Sequence, residues 1–437
     1  MGCDRISELP DILLTQILLN LPTKDSVKTS VLSKRWEFLW LSVPGLDLKV
    51  KDFPSRGKGL ESFIDKFLNL NQESRMQKFK IEYKKFEDEQ LVWIATAIDR
   101  GVQHLDVETG IGPDMPHNFY KSNTLVSLKL VTIGIVDPGF VVSLPCLKIM
   151  HFEDIVYDDE PLIIEKLISG CPVLVDLTVI RRTELSDVLR FLRVRSQTLK
   201  RFRLTFKYLL FSKEYSVEID APRLEYLSFK DNQSDLIVIK NLNSLSMIDI
   251  DTEFVVNFGG SPLEPEDLRK RDTIRDFLTG ISIVRHMIIS QPTLEVLYVY
   301  SKLGPIPKFP NLYRLDAALS SSLLQFLPAF LECCPNLKNL ILDFAVSAQP
   351  EQSELSYVPQ CLSLTLESVE IKQLIMREET GIKLVNYFLK NSAVLKKFTV
   401  RFTDSPMTIQ ELDICKDIYK SILTFTKRSR SCQVFVY

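Results

Sequence analysis

The sequence predicts an α/β protein: a small three-helix unit at the N-terminus, followed by a repeat solenoid, a curved parallel sheet with helices or loops on its convex side. Three observations predict it. A Leu-x-x-Leu-x-Leu pattern, with other apolar residues allowed, recurs through most of the chain at a nearly regular step. The first 45 residues lack that pattern and instead carry an apolar helical run between Pro10 and Pro22. The 437 residues, 45% hydrophobic and 25% charged, have ordinary globular composition and are too many for one small core.

Composition and spacing exclude several classes of function. A formal net charge of -2 argues against a general nucleic-acid or membrane-surface role, since both favour a basic excess. The basic cluster Lys427, Arg428 and Arg430 reads as a solvated helix end. No segment approaches the roughly 20 apolar residues that span a bilayer. Asp4, Glu8 and Asp11 break up any secretion signal, so the nucleus or cytoplasm is the expected location. The eight cysteines (Cys3, Cys146, Cys171, Cys333, Cys334, Cys361, Cys415 and Cys432) form no C-x-x-C pair and read as buried small hydrophobes. His104, His117, His151 and His286 have no metal-ligand spacing. Gly110, Gly112, Gly259 and Gly260 fit turns rather than phosphate loops, and the acidic runs at 158–160 and 264–267 fit solvated loops. No catalytic residue, cofactor or metal site is assigned.

The first helix is expected between Pro10, suited to a first helical position, and Pro22, suited to the residue after an end. A second starts near Thr23, read as its N-cap, and Ser33 can cap a third that carries Trp36 and Trp40 on one face. Ile12, Leu13, Leu14, Ile17, Leu18, Leu19 and Leu21 cover more than the ~100° stripe an ordinary surface helix buries. Three short helices have little interior, so the surplus either packs on the next domain or stays exposed for a partner.

Asp4 through Leu14, then Leu21-Pro22-Thr23-Lys24-Asp25, Val31-Leu32-Ser33-Lys34-Arg35-Trp36 and Leu39-Trp40 resemble the F-box. In that family this unit docks a Skp-type adaptor, which connects to a cullin scaffold. The resemblance implies Leu9, Pro10, Ile12, Leu13, Ile17, Leu18, Leu21, Pro22, Val31, Leu32 and Trp36 as interface candidates, although several of them must also form the unit's own core.

The repeat begins its strong copies at Leu125, Leu147, Leu174, Leu199, Leu224, Leu245, Leu294, Leu312, Leu337, Leu366 and Leu395, with weaker ones at Met76 and Val102. The steps run from 18 to 29 residues apart from a single 49, which suggests a degenerate copy between Leu245 and Leu294. That period is the one of leucine-rich repeats. Each copy is expected as a short strand stacked in parallel on its neighbours. Ile163 to Cys171, stopped by Gly170 and Pro172, and Leu323 to Pro335 are expected to supply helices between strands.

Val358-Pro359, Leu366 to Ile371 and Gly381 to Phe398 resemble the FBD domain of plant F-box proteins, a family that joins F-box, repeats and FBD in this order. The expected division is residues 1–50, 76–357 and 358–437. The last part reads as two more repeat-like units with a C-terminal helix and strand capping the array.

Residues between the leucines should face the concave side, among them Lys129, Lys200, Arg201, Arg203, Glu225, Tyr226, Lys338, Asn339, Lys396 and Lys397. Their mixed sign does not predict whether a partner is acidic or basic. The resemblance implies a non-catalytic adaptor of a Skp–cullin–F-box ubiquitin ligase that holds a target protein on the repeats. Two rivals remain: a small-molecule-dependent receptor in the same assembly, and a protein-binding scaffold outside any ligase.

Overall fold

The computed structural model describes residues 6, 8–53, 59–70, 74–83, 90–110, 113–158, 162–181, 190–206, 215–254, 256, 265–345, 355, 357–375, 379–403 and 420–437. Asp4, Arg5 and Ser7 of the N-terminal motif, Cys3, Cys415, Gly112, Gly259, Gly260 and parts of both acidic runs lie outside them. The chain forms two compact units, one ending at Arg203 and the other beginning at Leu204.

The first unit opens with helices α1 (Asp11–Leu19) and α2 (Thr23–Lys28) and two short 3-10 turns, Thr29–Val31 and Leu39–Ser42. The third α-helix expected after Ser33 is not formed; the segment folds as turns. Trp36 and Trp40 therefore do not share a helical face. Trp36 packs with Leu14, Leu18, Leu39 and Val43, whereas Trp40 stacks on Phe63, ring centroids 6.0 Å apart. Pro10 and Pro22 both stand one residue earlier than a first helical position, as the caps of α1 and α2. Thr23 is no cap: its hydroxyl oxygen accepts the Asp47 backbone N–H at 2.8 Å.

Six parallel strands follow: β1 (Gly45–Lys49), β2 (Lys78–Tyr83), β3 (His104–Thr109), β4 (Ser127–Val131), β6 (Ile149–Glu153) and β8 (Asp176–Arg181). Between β4 and β6 comes β5 (Gly134–Ile135), and β7 (Val156–Tyr157) follows β6; the two pair with each other. Helices α3 (Leu60–Leu70), α4 (Leu91–Asp99) and α5 (Ile163–Ser169) fill the connections. Register converts the sequence pattern into columns. Leu105, Leu128, Met150 and Leu177 stand opposite one another, as do Val107, Leu130, Phe152 and Val179, and all are buried. Each such side chain contributes about 1.5–3 kcal/mol relative to exposure. The first residue of each copy lies two positions before its strand and is buried too, from Met76 to Leu174. Val43, Leu46 and Leu48 make an unforeseen earlier copy that joins the helical unit directly to the sheet. Gly45 is required there: a Cβ would lie 2.7 Å from Leu19 Cδ1 and 2.8 Å from the Lys78 carbonyl oxygen.

The unit boundary falls within β10 (Arg201–Phe206), which follows β9 (Phe191–Arg195). In the second unit a parallel pair, β11 (Tyr215–Asp220) with β13 (Ser234–Lys240), packs beneath helix α6 (Pro265–Gly280). The main strands are β12 (Tyr226–Asp231), β14 (Met247–Asp251), β15 (His286–Ile289), β16 (Arg314–Ser320), β17 (Asn339–Ala345), β18 (Ser368–Leu374), β19 (Lys397–Phe402) and β20 (Gln433–Val436), again all parallel. Strands such as β11 and β13, rather than only helices or loops, thus occupy some connections.

One repeat is corrected. Leu294, Leu297 and Val299 lie on helix α7 (Gln291–Ser301), not on a strand. Leu and Leu three apart satisfy a helix as well as the repeat, and Ser290 caps this helix by accepting the Thr293 backbone N–H, with proline in its first turn. The true copy is Val284, two positions before β15, with Met287 and Ile289 on it, all buried. The connection helix at 323–335 is short, α8 (Leu327–Glu332), after a 3-10 turn at Ser321–Leu323. Helices α9 (Gln360–Leu364) and α10 (Glu379–Asn391) flank β18. Among the described residues, no helix is long and apolar enough to cross a membrane.

Candidate partner-binding surfaces

Helix α1 divides its apolar residues between two jobs. Leu14 and Leu18, one turn apart, are buried, and with them Leu39, Val43 and Trp36 form a small core on which Leu9 and Leu19 pack. Ile12, Leu13 and Ile17 point the other way and are exposed. Leu21, Val31, Leu32 and Phe38 extend the exposed set; Ile12 is 76% and Val31 87% accessible. Pro10 and Pro22 are exposed and Leu9 is half-buried. Of the eleven interface candidates, Leu18 and Trp36, at 1% and 5% exposure, sit inside the unit's own core. The other nine remain at its surface. Phe38, which the sequence reading missed, carries a ring left outside by the turn that replaces the third helix.

Polar contacts hold this arrangement. Arg35 donates to the Asp11 carboxylate at 2.7 Å and also to the Leu9 carbonyl, fixing the Ser33–Trp36 turn against the start of α1. Asp11 also sits in the first turn, where a negative charge suits the helix dipole. Ser26 donates to the Leu18 carbonyl at 3.0 Å and binds α2 to α1. The exposed apolar side chains are thus mounted on a fixed frame.

A second candidate surface in each unit is the open face of its strands. Lys129, Arg203, Tyr226 and Asn339 are half-buried on it, Arg201 and Lys397 are exposed at strand starts, and Lys200, Glu225, Lys338 and Lys396 precede strands. Several are already engaged. Arg201 and Arg203 donate to Asp176 at 2.7 and 2.9 Å, and Lys396 pairs with Glu367 at 2.7 Å. The lysine ammonium beside Glu367 holds that carboxyl below its ordinary value.

Charge on this face is sorted, which the sequence did not reveal. In the first unit an open groove of about 380 Å³ is lined by Lys78, Lys80, Lys129, His104, His151 and a single carboxylate, Asp106. Lys80 lies 2.9 Å and Lys129 3.9 Å from Asp106, and Lys78 pairs with Asp47 at 2.6 Å. The hydrogen bond to Asp106 raises the Lys80 ammonium above its ordinary value against the opposing effect of burial. In the second unit a groove of about 280 Å³ is lined by Asp249, Asp251, Asp316 and Asp343 against Lys230 and Lys372, over Ile288 and Ile341.

Burial dominates the surroundings of the thiols. Burial pushes Cys171 and Cys361 each up to about 12, and Cys333, Cys334 and Cys432 upward as well. Such thiols stay protonated at neutral pH, the opposite of what a nucleophile needs. Among the described residues, no group of three or more His, Cys, Asp or Glu side chains is placed to hold a metal ion.

A small helical module mounted on a parallel leucine-rich-repeat sheet defines a protein-recognition architecture. Comparison with known proteins specifies it. Residues 6–47 match the F-box domain, 92–250 the LRR repeats of FBD-associated F-box protein At5g56370, and 352–400 the FBD. The chain is 64% identical over 446 aligned residues to F-box/FBD/LRR-repeat protein At2g26030 and 63% to putative F-box/FBD/LRR-repeat protein At5g44950, both from Arabidopsis thaliana, with all of each chain covered. FBD-associated F-box protein At5g27750 of the same plant is 48% identical, covering 100% of this chain and 99% of its own. The chain belongs to the F-box/FBD/LRR-repeat family.

Proposed function

We propose that the chain is a substrate-recognition adaptor: it docks a Skp-type protein, and through it a cullin, by the F-box, and holds a target protein on the sheet face. The observation that carries this reading is the exposed apolar surface of Ile12, Leu13, Ile17, Leu21, Val31, Leu32 and Phe38 on a module whose core is already complete without them. So many large apolar side chains left in water on one small module are what a partner surface supplies. F-box plus repeat proteins are generally substrate adaptors of such ligases, which supports the same reading.

The role is positional. Binding a target beside a ubiquitin-charged enzyme raises the effective concentration of its lysines, and the partners perform the transfer. The half-buried and exposed polar residues of the sheet face supply the recognition surface, as solenoid faces commonly do.

The test is calorimetry of the full chain with a purified Skp-type adaptor. The double substitution Ile12→Asp with Val31→Asp places two charges on the apolar face and should cost at least about 2 kcal/mol, roughly thirtyfold in affinity. Unchanged affinity in that variant, or no binding by the unaltered chain, overturns the proposal.

A further inference from the structure

We infer that the groove across β2, β3, β4 and β6 seats an anionic side chain, a carboxylate or phosphate, carried on an extended acidic segment of a partner protein. The proposal uses the adaptor reading only for what that segment belongs to, namely the target.

The sheet register builds the site. Lys80, Asp106, Lys129 and His151 stand opposite one another on four successive strands, and Lys78 and His104 form the start of the adjoining row. Strands are about 4.8 Å apart, so Lys80 and Lys129 bracket Asp106 at roughly 10 Å separation. Asp106 reaches both of these ammonium groups and Asp47, opposite Lys80 on β1, pairs with Lys78, so three lysines share two carboxylates. An anion entering beside Asp106 completes the pairing at little ordering cost. His104 is exposed and has no hydrogen-bond or ion-pair partner among the described residues, so its imidazole N–H is available as a further donor. These lysines are half-buried, where charge interactions are less screened than on an open surface.

The surrounding charges give the site a direction. Glu82, Glu108 and Glu153 lie one row further along the same strands, and Glu153 is 3.3 Å from His151. They repel an anion placed towards the strand ends and confine it to the lysine rows. The groove of the second unit is lined by four aspartates and two lysines and is unsuited to the same ligand. A partner segment of the opposite charge is thereby rejected by the first groove and an acidic one by the second.

The test uses fluorescence anisotropy with the full chain and three labelled peptides of one length. One alternates Glu and Gly, one has a phosphoserine in place of the central Glu, and one has Lys in place of every Glu. The glutamate peptide should bind saturably at low salt and weaken as salt rises. Lys80→Gln with Lys129→Gln should weaken it about tenfold, through two lost ion pairs. Lys383→Gln, on a lysine of helix α10 paired with Glu379, should leave it unchanged. Markedly tighter binding of the phosphoserine peptide identifies phosphate as the source, and equal binding identifies carboxylate. No saturable binding of either anionic peptide, equal binding of the lysine peptide, or an equal loss in Lys383→Gln overturns the inference. Thermal melts by circular dichroism show that the variants are folded. Adaptor affinity is measured on the same samples. Its loss with peptide binding intact counts against the adaptor reading alone, and its retention without peptide binding counts against the groove alone.

Discussion

Replacing Leu18 and Ile12 by alanine, one at a time, separates the two jobs of helix α1. Leu18 is 1% exposed within the cluster of Leu14, Trp36, Leu39 and Val43. Truncating it removes buried methyl groups and leaves a cavity, at a cost of about 2–5 kcal/mol. Ile12 is mostly in water, so its truncation changes stability by less than about 0.5 kcal/mol, with a slight gain in helix propensity. The readout is urea denaturation followed by tryptophan fluorescence, because Trp36 sits in the same core as Leu18 and reports its opening. For a urea slope of about 1–2 kcal/mol per molar, Leu18→Ala should lower the midpoint by at least roughly 1 M, and Ile12→Ala should leave it in place. Adaptor affinity should respond in the reverse order: Ile12→Ala weakens it by more than about fivefold, as loss of a central interface residue does. The folded fraction of Leu18→Ala should still bind. Equal destabilisation by the two substitutions, or an unmoved midpoint for Leu18→Ala, would falsify the assignment of the helix faces.

Three further outcomes are expected. Gly45→Ala forces a Cβ against the Lys78 carbonyl oxygen, which is backbone and cannot swing away, so it should destabilise the first unit by about 1–3 kcal/mol in the same titration; a neutral result refutes the close approach. Alkaline stability should fall because burial raises Cys171 and Cys361 from about 9 to about 12 and also raises the Tyr120, Tyr157 and Tyr387 phenols. The folded state then holds protons that the unfolded chain releases, so this stability is full below about pH 9 and is lost as pH rises towards 12. In folded protein at pH 8, alkylation read by mass spectrometry should modify the exposed Cys146 well before Cys171 or Cys361, and equal rates would contradict their burial.

The repeats were legible because their signal is physical and redundant. A strand with one buried face must alternate, and the residue two places before it must also be apolar to close the turn onto the core. Leu125, Leu128 and Leu130 meet that demand, and so do Leu337, Leu340 and Leu342. Val284, Met287 and Ile289 meet it equally, but without a single leucine, so the strand at 286–289 escaped a leucine search. Leu294 and Leu297 supplied the letters without the geometry, because three-residue spacing also lies on one side of a helix. The decisive local signal was Ser290 followed by Pro292, a helix start. The F-box was legible as an excess of apolar residues, yet which of them face inward depends on the turns at 29–31 and 39–42. Those turns are short-range choices among conformations of similar energy, and the Ser33 cap favoured the wrong one.

The charge sorting of the sheet face was not legible for a different reason. Lys80, Asp106, Lys129 and His151 are separated by 22 to 26 residues along the chain and become neighbours only through register. In sequence order the face reads as alternating sign, which suggests nothing. In register order Asp47, Lys80, Asp106, Lys129 and His151 form one row in which Asp106 is shared by two lysines, while Glu82, Glu108 and Glu153 fall in another. A shift of two residues in any one strand would carry its charge into the neighbouring row, and a shift of one would turn its leucines out to water. The burial of Leu105, Leu128 and Met150 forbids the second and, with the fixed apolar residue before each strand, the first. The hydrophobic columns that hold the repeat together therefore also set which charges meet on its other face.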